Sequence, residues 1–167
     1  NYNNRAAMEL GGLGIAAMMF PEFRNSDEWL SYSKDRMLVE IREQVYPDGV
    51  QNELTSHYHW VALRHFYRFA RYVDQTGVEL SSEEYFSNLE RMFIYLAYVL
   101  RPDGSNPLNN DSDRDTLLNW VSRGADFFDK LDWRWIATGG KKGTRPEDLP
   151  SRVFPWAGQL VMKNNWS

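Results

Sequence analysis

Two of the three histidines in this 167-residue chain, His57 and His59, flank Tyr58 in the stretch QVYPDGVQNELTSHYHW, residues 44–60. Imidazole changes charge near neutral pH, and a positioned phenol can also serve as an acid or base. Two carboxylates, Asp48 and Glu53, lie just upstream. Adjacent helical residues point about 100° apart, so His57, Tyr58 and His59 cannot all face one point. Tyr58 is placed to reach a cleft. His59 falls on an apolar stripe, where a core or supporting role competes with a direct one. The stretch is read either as the first turn of an ordinary helix or as one wall of a site.

Other constellations carry less. Gly12-Leu13-Gly14-Ile15-Ala16-Ala17 matches a dinucleotide fingerprint, but helix-forming residues precede it where a strand is required, so it is read as a decoy. Asp111-Ser112-Asp113-Arg114-Asp115 alternates carboxylates without the Gly and distal Glu of a calcium loop. Asp115 is expected to cap a helix and the others to be solvated. Arg64, Arg68 and Arg71 recur at helical spacing and read as a solvated outer face. Trp133 and Trp135 form either a sugar platform or, more simply, core packing.

The elements that would position these groups are mostly helical. Small and apolar residues from Asn4 to Phe20 predict a buried helix stopped by Pro21, in which Gly11, Gly12 and Gly14 would admit another backbone. A second helix is expected from a Ser26 cap to Pro47, and a third from about Leu54–Ser56 to Thr76, with Gly77 as its stop. His59, Leu63, Phe66, Ala70 and Val73 line its inner stripe. A capping box in Ser81-Ser82-Glu83-Glu84 opens a fourth helix, and a fifth is expected over about 115–129. Pro-Asp-Gly turns end the second and fourth helices at Gly49 and Gly104, a period of 55 residues that fits a repeated helical hairpin. Residues 153–154 and 159–162 read as strands around Gly158, so the boundary is placed at 150/151: a helical array over 1–150, and the start of a β-rich domain over 151–167.

The bulk numbers agree with a globular domain: 43% hydrophobic, 25% charged and 15% aromatic residues, with seven Trp. A net charge of −4 argues against a nucleic-acid partner held by bulk electrostatics. No apolar run is long enough to span a membrane. With no Cys there is no disulfide framework and no thiolate nucleophile. The abrupt Asn1 start, without an initiator Met, is read as that of a piece of a longer protein.

Five ordered motifs then resemble the heparinase II/III-like polysaccharide lyases, a family related in plan to alginate lyases. They are Asn3-x-Arg5-x-x-x-Glu9-Leu10; Phe20-Pro21-Glu22-Phe23; Tyr46-Pro47-Asp48-Gly49 with Glu53 and Tyr58-His59; Pro107 through Asp113; and Phe154-Pro155-x-Ala157-Gly158 through Trp166. The resemblance implies an incomplete (α/α) toroid of helical hairpins, followed by the first strands of a truncated antiparallel β-sandwich. It implies β-elimination at a uronic acid of an acidic polysaccharide, in a secreted or periplasmic bacterial protein. It implies Asn3 as the amide that neutralises the uronate carboxylate and Tyr58 as acid, base or both. Asn4, Arg5, Glu53, His57 and His59 would contact or support substrate; where relatives carry His or an aromatic, this chain has Asn4. No cofactor or metal is expected on these residues, a metal being associated instead with the absent sandwich, against which the helical part would pack. The fragment alone would then be incomplete as an enzyme. Two alternatives stay open: a toroid-type glycoside hydrolase using Glu9 with Glu53 or Asp48, and a non-catalytic glycan-binding array.

Overall fold

A computed structural model describes residues 3–80 and 82–166. Six helices follow one another: α1 (Asn4–Met19), α2 (Ser26–Gln44), α3 (Ser56–Thr76), α4 (Glu83–Val99), α5 (Leu118–Phe128) and α6 (Leu131–Ala137). A hairpin of β1 (Arg152–Phe154) and β2 (Gln159–Val161) comes last, pairing antiparallel with Val153 opposite Leu160. The chain is thus predominantly helical with two short strands near its end, as the sequence predicts.

α1 packs on both α2 and α3. It runs parallel to α3, because Asn4 meets Glu53 at one end and Thr76 meets Met18 at the other. α2 returns between them in sequence, bringing Gln44 back to Asn3. α3 is the central element. All five stripe residues are buried, and so are Ala62, His65, Tyr67 and Phe69, a near-continuous burial expected only of an inner helix. α4 runs antiparallel to it, pairing Tyr85 with Phe66 and Tyr95 with His59.

The two Pro-Asp-Gly turns are built alike. Gly49 N–H donates to Tyr46 O and Gly104 N–H to Arg101 O, each at 2.8 Å, with φ of +90° and +76°. Asp48 and Asp103 each accept from the backbone N–H two residues on, the local bond that favours Asp in turns. The 55-residue period therefore reflects a repeated piece of structure.

Boundaries depart from expectation where tertiary contacts decide them. Ser26 is the first residue of α2 and not its cap; its hydroxyl donates to Pro21 O. Ser82 caps α4 by accepting from Tyr85 N–H, so the helix starts one residue later than the expected capping box, whose Ser81 lies outside the described residues. Glu84 instead makes a two-pronged ion pair with Arg42. α5 begins at Leu118, three residues beyond Asp115, and α6 was not anticipated. In α6, Trp133 is buried and stacks on Phe93, so it serves the core.

The α1 glycines also divide. All lie inside a helix, which excludes a phosphate-binding turn. A Cβ on Gly14 would come within 2.5 Å of the Phe69 ring and 2.9 Å of Ser33 Cβ, whereas Gly12 faces open space. At Gly14 the close approach is to side chains of α3 and α2, whereas a Cβ on Gly11 would stand 3.8 Å from the His65 backbone carbonyl of α3. Gly14→Ala is therefore expected to destabilise by about 1–3 kcal/mol through overpacking, and Gly12→Ala to stabilise by up to about 1 kcal/mol through helix propensity. Urea melts of the two variants, moving in opposite directions, check this.

The hairpin is anchored. Phe154 is fully buried against Tyr95 and Tyr98, Tyr95 donates to Gln159, and Asp48 accepts from Trp156 and Ala157 N–H at 2.8 and 3.0 Å.

Candidate active site

One end of the helical array gathers the start of α1, the end of α2, the 45–55 connection, the start of α3 and the 105–115 loop. Asn3 caps α1: its Oδ1 accepts from Arg5 and Ala6 N–H at 3.1 and 3.3 Å. That commits the amide oxygen and leaves the NH2 group without a partner among the described residues. The Asn3 carbonyl accepts from Gln44 Nε2, which also donates to buried Glu40. Glu40 in turn pairs with Arg36 at 2.9 Å. A polar chain along α2 thus fixes the Asn3 backbone.

Asn4 is tied across to the 45–55 connection. Glu53 Oε1 accepts from Asn4 N–H at 3.3 Å, from Asn4 Nδ2 at 2.9 Å and from Gln51 Nε2 at 3.1 Å. Arg5 is exposed beside them, with no side-chain partner among the described residues.

The start of α3 is held by the 105–115 loop. Thr55 accepts from Tyr58 N–H, Asn109 from Ser56 N–H and Ser112 from His57 N–H. Three of the N–H groups that a helix start leaves unpaired are thereby satisfied. Leu54, just before the helix, has φ +58°, a conformation that costs a non-Gly residue about 1–2 kcal/mol. Its carbonyl accepts from both Asn109 and Asn110 at 2.9 Å, which holds the kink. Buried Asn106 organises the loop itself, donating to Ser56 and to the Asp113 carbonyl and accepting from Asp115 N–H.

His57, Tyr58 and His59 part company. Tyr58 Oη donates to Asp111 Oδ2 at 3.1 Å. That hydrogen bond, then the Asp111 charge, slight desolvation and the charges of Glu53 and Asp113 raise the phenol above its ordinary value. His57 Nδ1 lies 2.9 Å from Asp115 Oδ2, its ring edge-on to Tyr58 and Trp60. His59 is fully buried. Its Nδ1 accepts from Gln51 N–H and its Nε2 donates to the Met92 carbonyl, and burial pushes it down to about 4. With no exposed edge and both nitrogens used, His59 cannot touch a ligand. The expectation of direct substrate contact is corrected to a supporting role beneath the 51–53 segment.

Asn4, Glu53, His57, Tyr58 and the start of α1 are thus brought to one end of the fold. Glu53 is the link, bonded to Asn4 and electrostatically felt at Tyr58. Asp111, Asp115, Asn106, Gln44 and Gln51 were not anticipated in these roles. Asp115 does not cap α5. Among the described residues no group of three or more His, Asp or Glu is placed to hold a metal ion.

Comparison with known proteins bears on the family and the fold. Residues 1–135 match the Heparinase II/III N-terminus family. A heparin-sulfate lyase of Bacteroides stercoris is 33% identical over 98% of this chain and 25% of its own length. One of Pedobacter heparinus is 30% identical over 91% and 24%. Among solved structures, a heparinase III superimposes with a TM-score of 0.87 at 30% identity, covering 99% of this chain and 27% of that one. The heparan sulfate lyase of Pedobacter heparinus gives 0.82 at 27%, over 96% and 26%. The chain spans about a quarter of the length of the curated relatives it matches. Over that span, sequence and helical architecture agree, and the chain belongs to the heparinase II/III N-terminus family.

Proposed function

We propose that this chain is the helical part of a polysaccharide lyase that cleaves a heparan-sulfate-like, uronic-acid-containing glycan by β-elimination. In that reaction the C5 proton leaves, charge builds on the uronate carboxylate, and the C4–O4 bond breaks to give a C4–C5 double bond. An uncharged amide donor at the carboxylate stabilises the developing charge more in the transition state than in the ground state. Asn3 has such a donor, since capping uses only its oxygen. Tyr58 exchanges a proton with the reacting sugar. Arg5 supplies an exposed cation for an anionic chain. Glu53 and His57 set the geometry between amide and phenol, and His59 supports them from below.

The observation that carries this reading is the bridge between the two ends of the site. Glu53 accepts from Asn4, the neighbour of the capping amide, and Thr55, two residues further along the same segment, accepts from the Tyr58 N–H. A hydrolase is less well served. Asp48, one of its candidate acids, is committed to the Val50, Trp156 and Ala157 N–H groups, and Glu53 to Asn4 and Gln51. The β1–β2 hairpin is read as the first strands of a β-sandwich that completes the cleft. A polymeric extracellular substrate would place the enzyme in the periplasm or outside the cell.

The test is product chemistry. The full-length protein, incubated with heparan sulfate oligosaccharides, is expected to generate the ultraviolet absorbance of an unsaturated uronate in step with new reducing ends. Reducing ends without that absorbance would indicate hydrolysis, and binding without either would indicate a glycan-binding array; each outcome defeats the proposal. The same assay separates the two amides: Asn3→Ala is expected to lose roughly 10²-fold in kcat, and Asn4→Ala to act more weakly, through Glu53.

A further inference from the structure

The 105–115 loop contributes a contact that the elimination chemistry above does not assign. Asp111 is its only residue bonded to the Tyr58 side chain among the described residues, and the loop is built to deliver it. Asn106 pins the segment from within, donating to Ser56 Oγ at 2.9 Å and accepting from Asp115 N–H at 2.7 Å. Asn109 and Asn110 fasten it to the Leu54 carbonyl. Ser112 and Asn109 meet the first N–H groups of α3. Asn110, immediately before Asp111, is held at φ +50°, a conformation Asn tolerates better than most side chains. The polypeptide therefore fixes where the Asp111 carboxylate stands relative to Tyr58.

We propose that Asp111 is a positioning residue for the elimination: its carboxylate accepts the Tyr58 hydroxyl, orients the phenol, and commits Tyr58 to enter the reaction as a proton donor. The inference rests on the lyase reading. A phenol serving as base must shed its proton, and a carboxylate already accepting that proton opposes this. As an acid, the same phenol stays protonated to higher pH, though as a weaker donor, and it gives up its proton when the departing glycosidic oxygen, a stronger base than the carboxylate, presents itself. The groups facing Tyr58 are consistent in sign. Asp111 and Asp113 come from the loop, and Glu53 from the 45–55 connection; all raise the phenol. His57 on α3 is edge-on to the ring, but its Nδ1 is directed to Asp115. The balance requires a separate base: a neutral imidazole or a carboxylate of the full-length enzyme takes the C5 proton, the C5–H electron pair becomes the C4–C5 double bond, O4 leaves with the C4–O4 pair and takes the Tyr58 proton, and solvent then reprotonates the phenolate and deprotonates the base. Asp111 gains no proton in the cycle.

The experiment uses the full-length enzyme on heparan sulfate oligosaccharides, following unsaturated uronate across pH for wild type, Asp111→Asn, Asp111→Ala and Tyr58→Phe. Asn at 111 keeps an acceptor oxygen and removes the charge. Its alkaline limb of kcat is expected to move to lower pH, so that the ratio of activity near pH 10.5 to that near pH 7 falls roughly threefold. Asp111→Ala, which also loses orientation, is expected to lose about tenfold or more in kcat at neutral pH with KM little changed. A neutral-pH gain in Asp111→Asn would make Tyr58 the base and overturn the proposal. Wild-type pH profiles and kcat in both Asp111 variants would overturn it as well. Tyr58→Phe separates the two levels: if it turns over normally, the lyase reading itself fails, whereas an inactive Tyr58→Phe beside unaltered Asp111 variants removes only the role of Asp111. Melting temperatures of all variants identify any loss that is merely structural.

Discussion

Replacing Tyr58 with Phe in the full-length enzyme is expected to lower kcat by about 10²–10⁴-fold, the range over which a positioned acid or base contributes, with KM nearly unchanged. The substitution removes one oxygen and keeps the ring, so packing against His57 persists. Tyr58 is half-buried and its only side-chain hydrogen bond among the described residues goes to exposed Asp111. Once the hydroxyl is gone, water solvates that carboxylate, and no buried partner is orphaned. The melting temperature should therefore stay where it is while unsaturated product disappears. Loss confined to kcat is the signature of a group acting in the transition state, whereas a substrate-binding hydroxyl would raise KM instead. Wild-type rates in this variant would leave the lyase mechanism without its proton carrier.

What the sequence made legible was local. The Pro-Asp-Gly turns could be read because their chemistry lies within four residues: Pro sets φ, Asp accepts from the chain two residues on, and Gly takes positive φ. The α3 stripe could be read because burial on one helix face writes a period of three and four into the chain. Gly77 announced the end of that helix, where it takes φ +68°. Nothing comparable announced the partners of the site. Asp115 lies 58 residues from His57 and Asp111 53 residues from Tyr58, and only the folded path of the 105–115 loop brings them together. Asp115 looked like a helix cap because it precedes an apolar run, and it lost that role once His57 and Asn106 fixed its side chain and backbone. α6 escaped notice because its seven residues are too few to show a helical period, and its Trp residues read equally well as a platform or as packing. His59 is the instructive intermediate: its place on the apolar stripe was visible, while the two bonds that occupy its ring were not.

Those bonds make the fold sensitive to acid. His59 is fully buried and holds one proton, on Nε2, which it donates to Met92 at 3.0 Å. A second proton would have to enter at Nδ1, where the Gln51 N–H already points. Burial accordingly lowers this histidine from 6.5 to about 4. Between those values the unfolded chain binds a proton that the folded chain refuses, so stability rises with pH through the window. It is complete above about pH 6.5 and is lost progressively as pH falls toward 4. At about 1.4 kcal/mol per unit, the contribution is on the order of 3 kcal/mol. His65, also lowered to about 4 by burial and by the Arg64 and Arg68 charges, acts in the same direction. Urea melts of the protein between pH 7 and pH 4 should show this decline. His59→Leu should lower stability at pH 7 by roughly 1–3 kcal/mol for each of the two groups it orphans, Gln51 N–H and Met92 C=O. It should also flatten the acid slope, since the titrating group is gone. An unchanged slope in that variant would assign the acid sensitivity elsewhere. The consequence reaches the site, because Gln51 donates to Glu53, and Glu53 holds Asn4. Acid that charges His59 loosens the segment joining amide to phenol, so elimination should fail on the acid side before the helices melt.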